Sequence, residues 1–530
     1  MDDFFKRSAT PSAARPRRFA QLPILLLLAS LTALFIERWR GQRALQAWKQ
    51  RMIAQGEDFD LNKLWPAPTA ASREFPKHLA EAVGRLPRSL EKFRGVLAGL
   101  SRDETGRPSR GSTKASPPFT YQPVNPGTWH ELEGASREAQ SALRAIRNLM
   151  KNPARTMDGE ITKRLDLVPW PKWIPIRGTA QALHAGIIND LHRQDLGAAL
   201  ENLEALQGCA RIYADEPSLD NYMIRVAVVG LADDACWDAL QEAGWTEPQL
   251  VRLQQACQSN VLFSQIPKVL AAERLVRLRS LDWFASHSYQ AWIDRYADVH
   301  KSFGSKAAEL ERANWNAQWR QWIFHPTWSY AWRAQDELDY LQHSQQELDI
   351  AREAVERESW VYLKERQTAL QNNYRRPPVA WRFYQPMPLH DSLNVIIGGQ
   401  KTEPPECPYP DFSRAWFATA RNLTIHEMVN TVIAIKRYQL RQGKMPANIA
   451  SLIPEYLGAL PRDLIDGQSL RYQLNADGSI VLYSVGENAQ DDGGDSRPAE
   501  SGVSQQRHDP WSGQDWVWPQ VPPTSSRPRI

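Results

Sequence analysis

Cysteine is nearly missing from this chain of 530 residues. Four are present, Cys209, Cys236, Cys257 and Cys407, and no two stand in a C-x-x-C pair. That spacing excludes a zinc knuckle, a thioredoxin-like redox pair and a dense disulfide framework. An isolated disulfide stays open, and reduced, buried thiols are the plainer reading. Net charge is almost absent too, at +4 from 64 basic and 60 acidic residues, so no argument arises for nucleic acid as a partner.

Catalytic motifs are also lacking. There is no G-x-x-x-x-G-K-[ST] phosphate loop, no G-x-G-x-x-G after a strand and no G-x-S-x-G elbow. His426-Glu427-Met428-Val429-Asn430 begins like the H-E-x-x-H zinc motif, but Asn430 stands where the second imidazole is needed. His130-Glu131 fails in the same way, with Gly134 in the ligand position. The neighbouring carboxylates Asp233-Asp234, and Glu403 with Glu406, have no acid–base partner nearby in sequence and read as solvated surface pairs. No 34-residue period is sustained, which excludes a regular helical solenoid.

What is present is an ordinary globular composition, 42% hydrophobic and 23% charged. The length suits roughly three domains. A short tail, 1–18, carries Lys6, Arg7, Arg15, Arg17 and Arg18. The uncharged run Phe19–Ile36 follows, with four leucines at its centre. As a helix it reaches roughly 27 Å, enough for a thin hydrocarbon core. The run ends Leu31-Thr32-Ala33-Leu34-Phe35-Ile36, without the small residues at alternate positions that signal cleavage requires, so an uncleaved anchor is expected. Basic residues flank both sides, so the positive-inside comparison is close to a tie. The shorter tail is placed in the cytoplasm, and the large C-terminal part in the periplasm of a bacterial inner-membrane protein. The lipid bilayer is then a partner through Phe19–Ile36, and other envelope proteins are candidate partners.

Residues 37–100 read as membrane-proximal helices and 101–128 as a Gly-, Pro- and Ser-rich linker. From 129 to 374 the pattern is helical. Leu183, Ile187, Ile188 and Leu191 form one apolar stripe, and Leu200, Leu203, Leu206 and Ala210 another. Breaks at Gln194-Asp195, Glu216-Pro217 and Gly244-Trp245 divide this region into antiparallel hairpins. Tryptophan is the outlier of the composition, with 21 residues. Trp315, Trp319 and Trp322 fall on one helix face, with Trp328 and Trp332 close behind. They predict either a bulky core or an aromatic platform for sugars or the membrane interface. A Pro-rich connector, 375–417, loses all periodicity.

The last folded region, 418–495, starts with a helix lined by Ile425, Met428, Val432, Ile435 and Tyr438 and ending near Gly443. A second short helix is expected over Asn448–Leu457. Leu470, Tyr472 and Leu474 then alternate with polar residues. Asn475-Ala476-Asp477-Gly478 supplies a turn, and Ser479–Val485 returns as the partner strand. Residues 496–530 form a polar, Pro-rich tail expected to be mostly disordered, with Asp515-Trp516-Val517-Trp518-Pro519 as a candidate added strand.

The order Gly443-x-x-Pro446, then Tyr483-Ser484-x-Gly486, then Gly493-Gly494 resembles the C-terminal segment of a set of single-pass bacterial membrane proteins. More distantly it is similar to the globular part of the major pseudopilin of type II secretion. The resemblance covers about the last seventh of the chain before the tail. It implies a helix-plus-hairpin module whose glycine-rich loop holds calcium. Asp491, Asp492 and Asp495 would supply carboxylates, and Leu482 and Ser484 backbone carbonyls. An acidic, solvated turn is the alternative reading of the same loop. This chain departs from the family by lacking a prepilin cleavage site and by placing several hundred residues between anchor and module.

The expected fold is therefore mostly α: an N-terminal transmembrane helix, an irregular helical-hairpin domain and a small α+β C-terminal module with a β-hairpin. The expected role is structural or protein-binding, without catalysis. Two alternatives stay open. One is an envelope hydrolase with its site between helical domain and connector, around His390 and Asp391. The other is carbohydrate binding through the Trp-rich helix.

Overall fold

The computed structural model describes residues 17–65, 67, 69–91, 126–156, 174–257, 262–291, 320–374, 412–495 and 514–518. The expected linker and connector lie outside these for most of their length, as do Trp315, Trp319, His390, Asp391 and Cys407. The described residues are mostly helical, with one small antiparallel sheet. The helices in chain order are α1 (Arg17–Ala54), α2 (Ala70–Gly84), α3 (Pro126–Glu138), α4 (Gln140–Met150), α5 (Ile174–His192) and α6 (Leu196–Cys209). They continue as α7 (Leu219–Gln241), α8 (Glu247–Cys257), α9 (Ile266–Ser286), α10 (Arg333–Arg357), α11 (Trp360–Asn373) and α12 (Ser413–Gln442). The strands are β1 (Arg471–Leu474), β2 (Ile480–Ser484) and β3 (Trp516–Val517).

The chain divides into two compact units, Met1–Phe59 with Ser280–His343 and Pro377–Pro388, and the remainder. The smaller is built on α1, a single helix of 38 residues whose character changes along its length. Leu25–Leu28, Leu31, Phe35 and Ile36 are exposed, whereas Leu45, Trp48 and Met52 are buried. The buried half is held by polar contacts as well as packing. Lys49 Nζ meets Glu337 Oε1 at 2.5 Å, and Gln335 Nε2 donates to Glu37 Oε2 at 2.6 Å. Among the described residues no helix is long and apolar enough to cross a membrane. Side chains are described from Pro23 onward, and Glu37 and Arg38 close the apolar stretch at its other end. The expected span Phe19–Ile36 thus begins outside the described side chains.

The larger unit is a stack of helical hairpins. The breaks read from the sequence fall where expected, with α5, α6, α7 and α8 separated at Gln194, Pro217 and Gly244. Caps fix several of these starts. Asp195 accepts from Ala198 N–H at the head of α6, and Ser218 accepts from Asn221 N–H at the head of α7. Leu183, Ile187, Leu200, Leu203 and Leu206 are fully or almost fully buried in one core that also takes in α7, α8, α12 and the sheet. Helices α4 and α6 approach closely at Gly208, where a Cβ would stand 2.6 Å from the Met150 carbonyl oxygen.

Helix α12 ends at Gly443, whose left-handed φ of 69° lets its N–H close onto Gln439 O at 2.8 Å. The short helix expected over Asn448–Leu457 contracts to a 3₁₀ turn, Ile449–Leu452, capped by Asn448. Pro454, with no N–H to donate, follows directly. The hairpin has the expected turn, and its register pairs Arg471 with Tyr483 and Leu474 with Ile480. β3 adds to its β2 side, pairing Tyr483 with Val517 and Ser484 with Trp516. The tail therefore contributes Trp516–Val517 to the sheet.

Candidate functional site

The C-terminal module is organised around two buried carboxylates that the sequence reading did not single out. Asp463, fully buried, accepts from Ser484 Oγ at 2.9 Å, Val485 N–H at 3.0 Å, Ile465 N–H at 3.1 Å and Arg471 Nη1 at 2.9 Å. Burial raises its pKa to about 6, and the hydrogen bonds from Val485, Ile465 and Ser484 oppose that rise. It is ionised at neutral pH and ties β1, β2 and the loop before them together. Asp515, on the tail, accepts from Gly494 N–H at 2.7 Å, Asp495 N–H at 3.2 Å and Asp492 N–H at 3.4 Å. The acidic loop thus turns a nest of backbone N–H groups toward one carboxylate.

Gly486, the glycine of the Tyr483-Ser484-x-Gly486 motif, makes room for that tail. A Cβ there would lie 2.2 Å from Gln514 O, and its φ of +63° is one that side chains disfavour. Two of the three aspartates proposed as calcium ligands, Asp491 and Asp492, are already hydrogen-bonded within the module. Asp491 Oδ1 accepts from Tyr483 Oη at 3.1 Å and Gly493 N–H at 3.0 Å, and Asp492 Oδ2 accepts from Asn488 Nδ2 at 2.8 Å. Among the described residues no three His, Cys, Asp or Glu side chains gather as a metal group. In this arrangement the loop centre offers N–H donors, whereas calcium requires about six to eight oxygens. Calcium binding would require the Asp491 and Asp492 carboxylates to exchange these partners.

Of the tryptophans chosen as a binding face, Trp315 and Trp319 lie outside the described residues. Trp322 is 73% exposed, and Trp328 is buried, its Nε1 donating to Asp336 Oδ2 at 2.6 Å. The chain between them is an unusual helix. π-type turns at Arg320–Phe324 and Trp328–Trp332 flank a short α turn, His325–Thr327. Pro326 cannot donate a helical hydrogen bond, and the wide turns lie on either side of it.

The near-miss motif at His426 resolves into a buried pair. His426 Nδ1 lies 2.7 Å from Asp233 Oδ1, and Nε2 lies 2.9 Å from the Cys257 carbonyl oxygen. Asp233, read from the sequence as half of a surface pair, is fully buried on α7. Burial pulls the His426 imidazolium down, but the facing Asp233 carboxylate outweighs it and raises the pKa to about 9. Asp233 Oδ2 has no hydrogen-bond partner, and the nearby Gln207 amide favours its ionised form without reaching bonding geometry. Cys236 and Cys257 close the pocket from the other side, where Gln207 Nε2 lies 3.4 Å from Cys257 Sγ. The pair joins three helices, and both side chains are buried among the described residues.

An open cleft of about 600 Å³ lies between α4, α6 and α8. Its lining carries five cationic side chains and two anionic ones. Both acids are engaged: Glu201 lies 3.3 Å from Arg147, and Glu204 takes a two-point bond from Arg252 at 2.9 and 2.7 Å. Arg144, Lys151 and Arg211 leave the cleft net positive. It suits carboxylate or phosphate oxygens. The cationic residues come from α4 and α8 and from the turns after α4 and α6, so no run of basic sequence announces them.

No family model, no curated protein and no solved structure matches this chain.

Proposed function

We propose that this chain is a single-pass protein of a bacterial inner membrane, anchored by Phe19–Ile36, whose helical body binds other envelope proteins rather than catalysing a reaction. The observation that carries the anchor is the change of character along α1. One continuous helix leaves Leu25–Leu28, Leu31, Phe35 and Ile36 exposed and then buries Leu45, Trp48 and Met52. Exposing so many large apolar side chains together is costly in water, and a bilayer removes that cost.

Binding is favoured over the hydrolase alternative by where the perturbed acids lie. The acids whose pKa burial raises, Asp190, Asp220, Asp233, Glu273, Asp336, Glu427, Asp463 and Asp515, do not line the open cationic cleft. A hydrolytic site needs such groups within reach of substrate. The cleft supports recognition of an acidic segment of a partner instead. The resemblance to the pseudopilin globular part is carried here as a structural module pinned by its own tail. Alkaline extraction of membranes from cells expressing the full chain tests the anchor. Retention in the pellet is expected, and release into the supernatant would refute it. For the cleft, Arg144→Glu with Lys151→Glu should abolish capture of partners by the full chain at unchanged melting temperature.

A further inference from the structure

The apolar surface of α1 does not stand alone. A groove of about 620 Å³ runs between its exposed face and the wide-turn segment 320–332. Leu28, Leu31, Leu34 and Phe35 form one wall, and Pro326 and Tyr330 the other. From Phe35 to Leu28 is roughly 10 Å of helix, about a third of a hydrocarbon core near 30 Å thick. The second wall therefore follows α1 well below the level of Glu37, where charge resumes.

Three further observations fit the same surroundings. The threonine hydroxyls on these walls bond to their own helices, Thr32 Oγ1 to Leu28 O at 2.8 Å and Thr327 Oγ1 to Ile323 O, as does the neighbouring Ser30 Oγ, to Leu26 O at 2.9 Å. Such internal pairing is what a medium without water demands. Two buried polar side chains of the segment are paired as well, His325 Nε2 with Phe284 O at 2.8 Å and Trp328 Nε1 with Asp336. Ser329, whose Oγ is buried without a partner, is outside the groove lining. Trp322 and Ile323 are the most exposed large side chains of the segment, at 73% and 56%. The upper rim is aromatic and basic: the Arg38 guanidinium lies 4.7 Å over the Tyr330 ring and donates to its carbonyl at 3.2 Å, and Arg43 lies 5.2 Å over Trp39. Aromatic and basic residues at one level mark a membrane–water boundary.

We infer that segment 320–332 is a second membrane contact, entering the same leaflet beside α1 with Trp322, Ile323 and Tyr330 against lipid, and that acyl chains of that leaflet fill the groove. This rests on the anchor reading above. It gives the tryptophan-rich stretch a partner, the bilayer, and makes the smaller unit a two-point membrane clamp.

The test uses the full chain with Cys407→Ser, in vesicles of phosphatidylethanolamine and phosphatidylglycerol. A nitroxide is placed separately at Leu28→Cys, Trp322→Cys and Tyr330→Cys, and collisions with oxygen and with a water-soluble nickel chelate are compared. Tyr330→Cys leaves Trp322 in place, so loss of that indole does not decide the result. The expected outcome is an oxygen-to-nickel ratio at 322 and 330 several-fold above that at an exposed position such as Lys364→Cys, with 330, level with the Arg38 rim, below 28. A lipid signature at 28 with a water signature at 322 and 330 would overturn the second contact and leave the anchor standing. Shielding of 322 and 330 from both probes would place protein in the groove and also overturn it. A water signature at 28 would refute the anchor itself.

Discussion

Removing the imidazole of His426 should destabilise the larger unit more than almost any other single substitution. The reasoning is local. Asp233 is fully buried, one of its oxygens has no hydrogen-bond partner, and the other faces His426 at 2.7 Å. Deleting one member of a buried ion pair strands the other charge, at a cost of about 3–5 kcal/mol. His426→Leu also removes the donor to the Cys257 carbonyl, an unpaired buried acceptor worth a further ~1 kcal/mol. Asp233→Asn keeps an oxygen for the imidazole and should cost less, about 1–3 kcal/mol. The double variant Asp233→Leu/His426→Leu fills the site with apolar groups and strands no charge. It should be more stable than His426→Leu alone by at least ~2 kcal/mol. Urea unfolding of the full chain in detergent micelles, followed by near-UV circular dichroism, gives the cycle when Asp233→Leu alone is measured beside the wild type, His426→Leu and the double variant. If the two single Leu costs simply add in the double variant, the pair is not coupled and the reasoning fails.

Further outcomes follow from the same geometry. His426 has a raised pKa, so the stability it contributes is full below its unfolded value near 6.5 and is lost as pH rises through about 9. Unfolding curves between pH 6 and 10 should show that decline, at most about 3 kcal/mol, in the wild type and not in the double Leu variant. Gly486→Ala should detach the tail, because its Cβ would strike Gln514 O, and the Trp518 N–H, bonded to Leu482 O at 2.7 Å, should exchange much faster. Unchanged exchange there would show that β3 does not depend on that close approach. Because Asp515 already fills the loop, millimolar calcium should leave the melting temperature unchanged, whereas Asp515→Ala should lower it. A calcium-dependent rise that Asp492→Ala removes would return the ion to the loop.

Much of the fold was legible because its signals are local. Ser218 and Asp195 cap helices three residues downstream, Gly443 stops α12, and Asn475–Gly478 turns the hairpin, all within a few residues of one another. The shortening of the helix after Asn448 has a local signal as well, Pro454 inside the expected range, which has no N–H to donate. The site residues are different in kind. His426 and Asp233 are 193 residues apart in sequence, and Asp463 and Val485 are 22 apart. Neither pair has any periodicity that points from one member to the other. Asp233 reads as a surface carboxylate because Asp234 follows it, yet the helix turns the two toward different surroundings. The tail carboxylate Asp515 lies beyond a stretch whose composition suggested no structure, and the N–H groups of 492, 494 and 495 that hold it come from a loop some twenty residues earlier.

The central claim is an anchored body on the far side of the inner membrane, and protease accessibility tests it most directly. Cells expressing the full chain with a C-terminal epitope are treated with protease intact, as spheroplasts, and after detergent lysis. The account predicts resistance in intact cells and loss of the epitope in spheroplasts, while a cytoplasmic marker stays whole. An epitope that survives in spheroplasts and disappears only after lysis would contradict it.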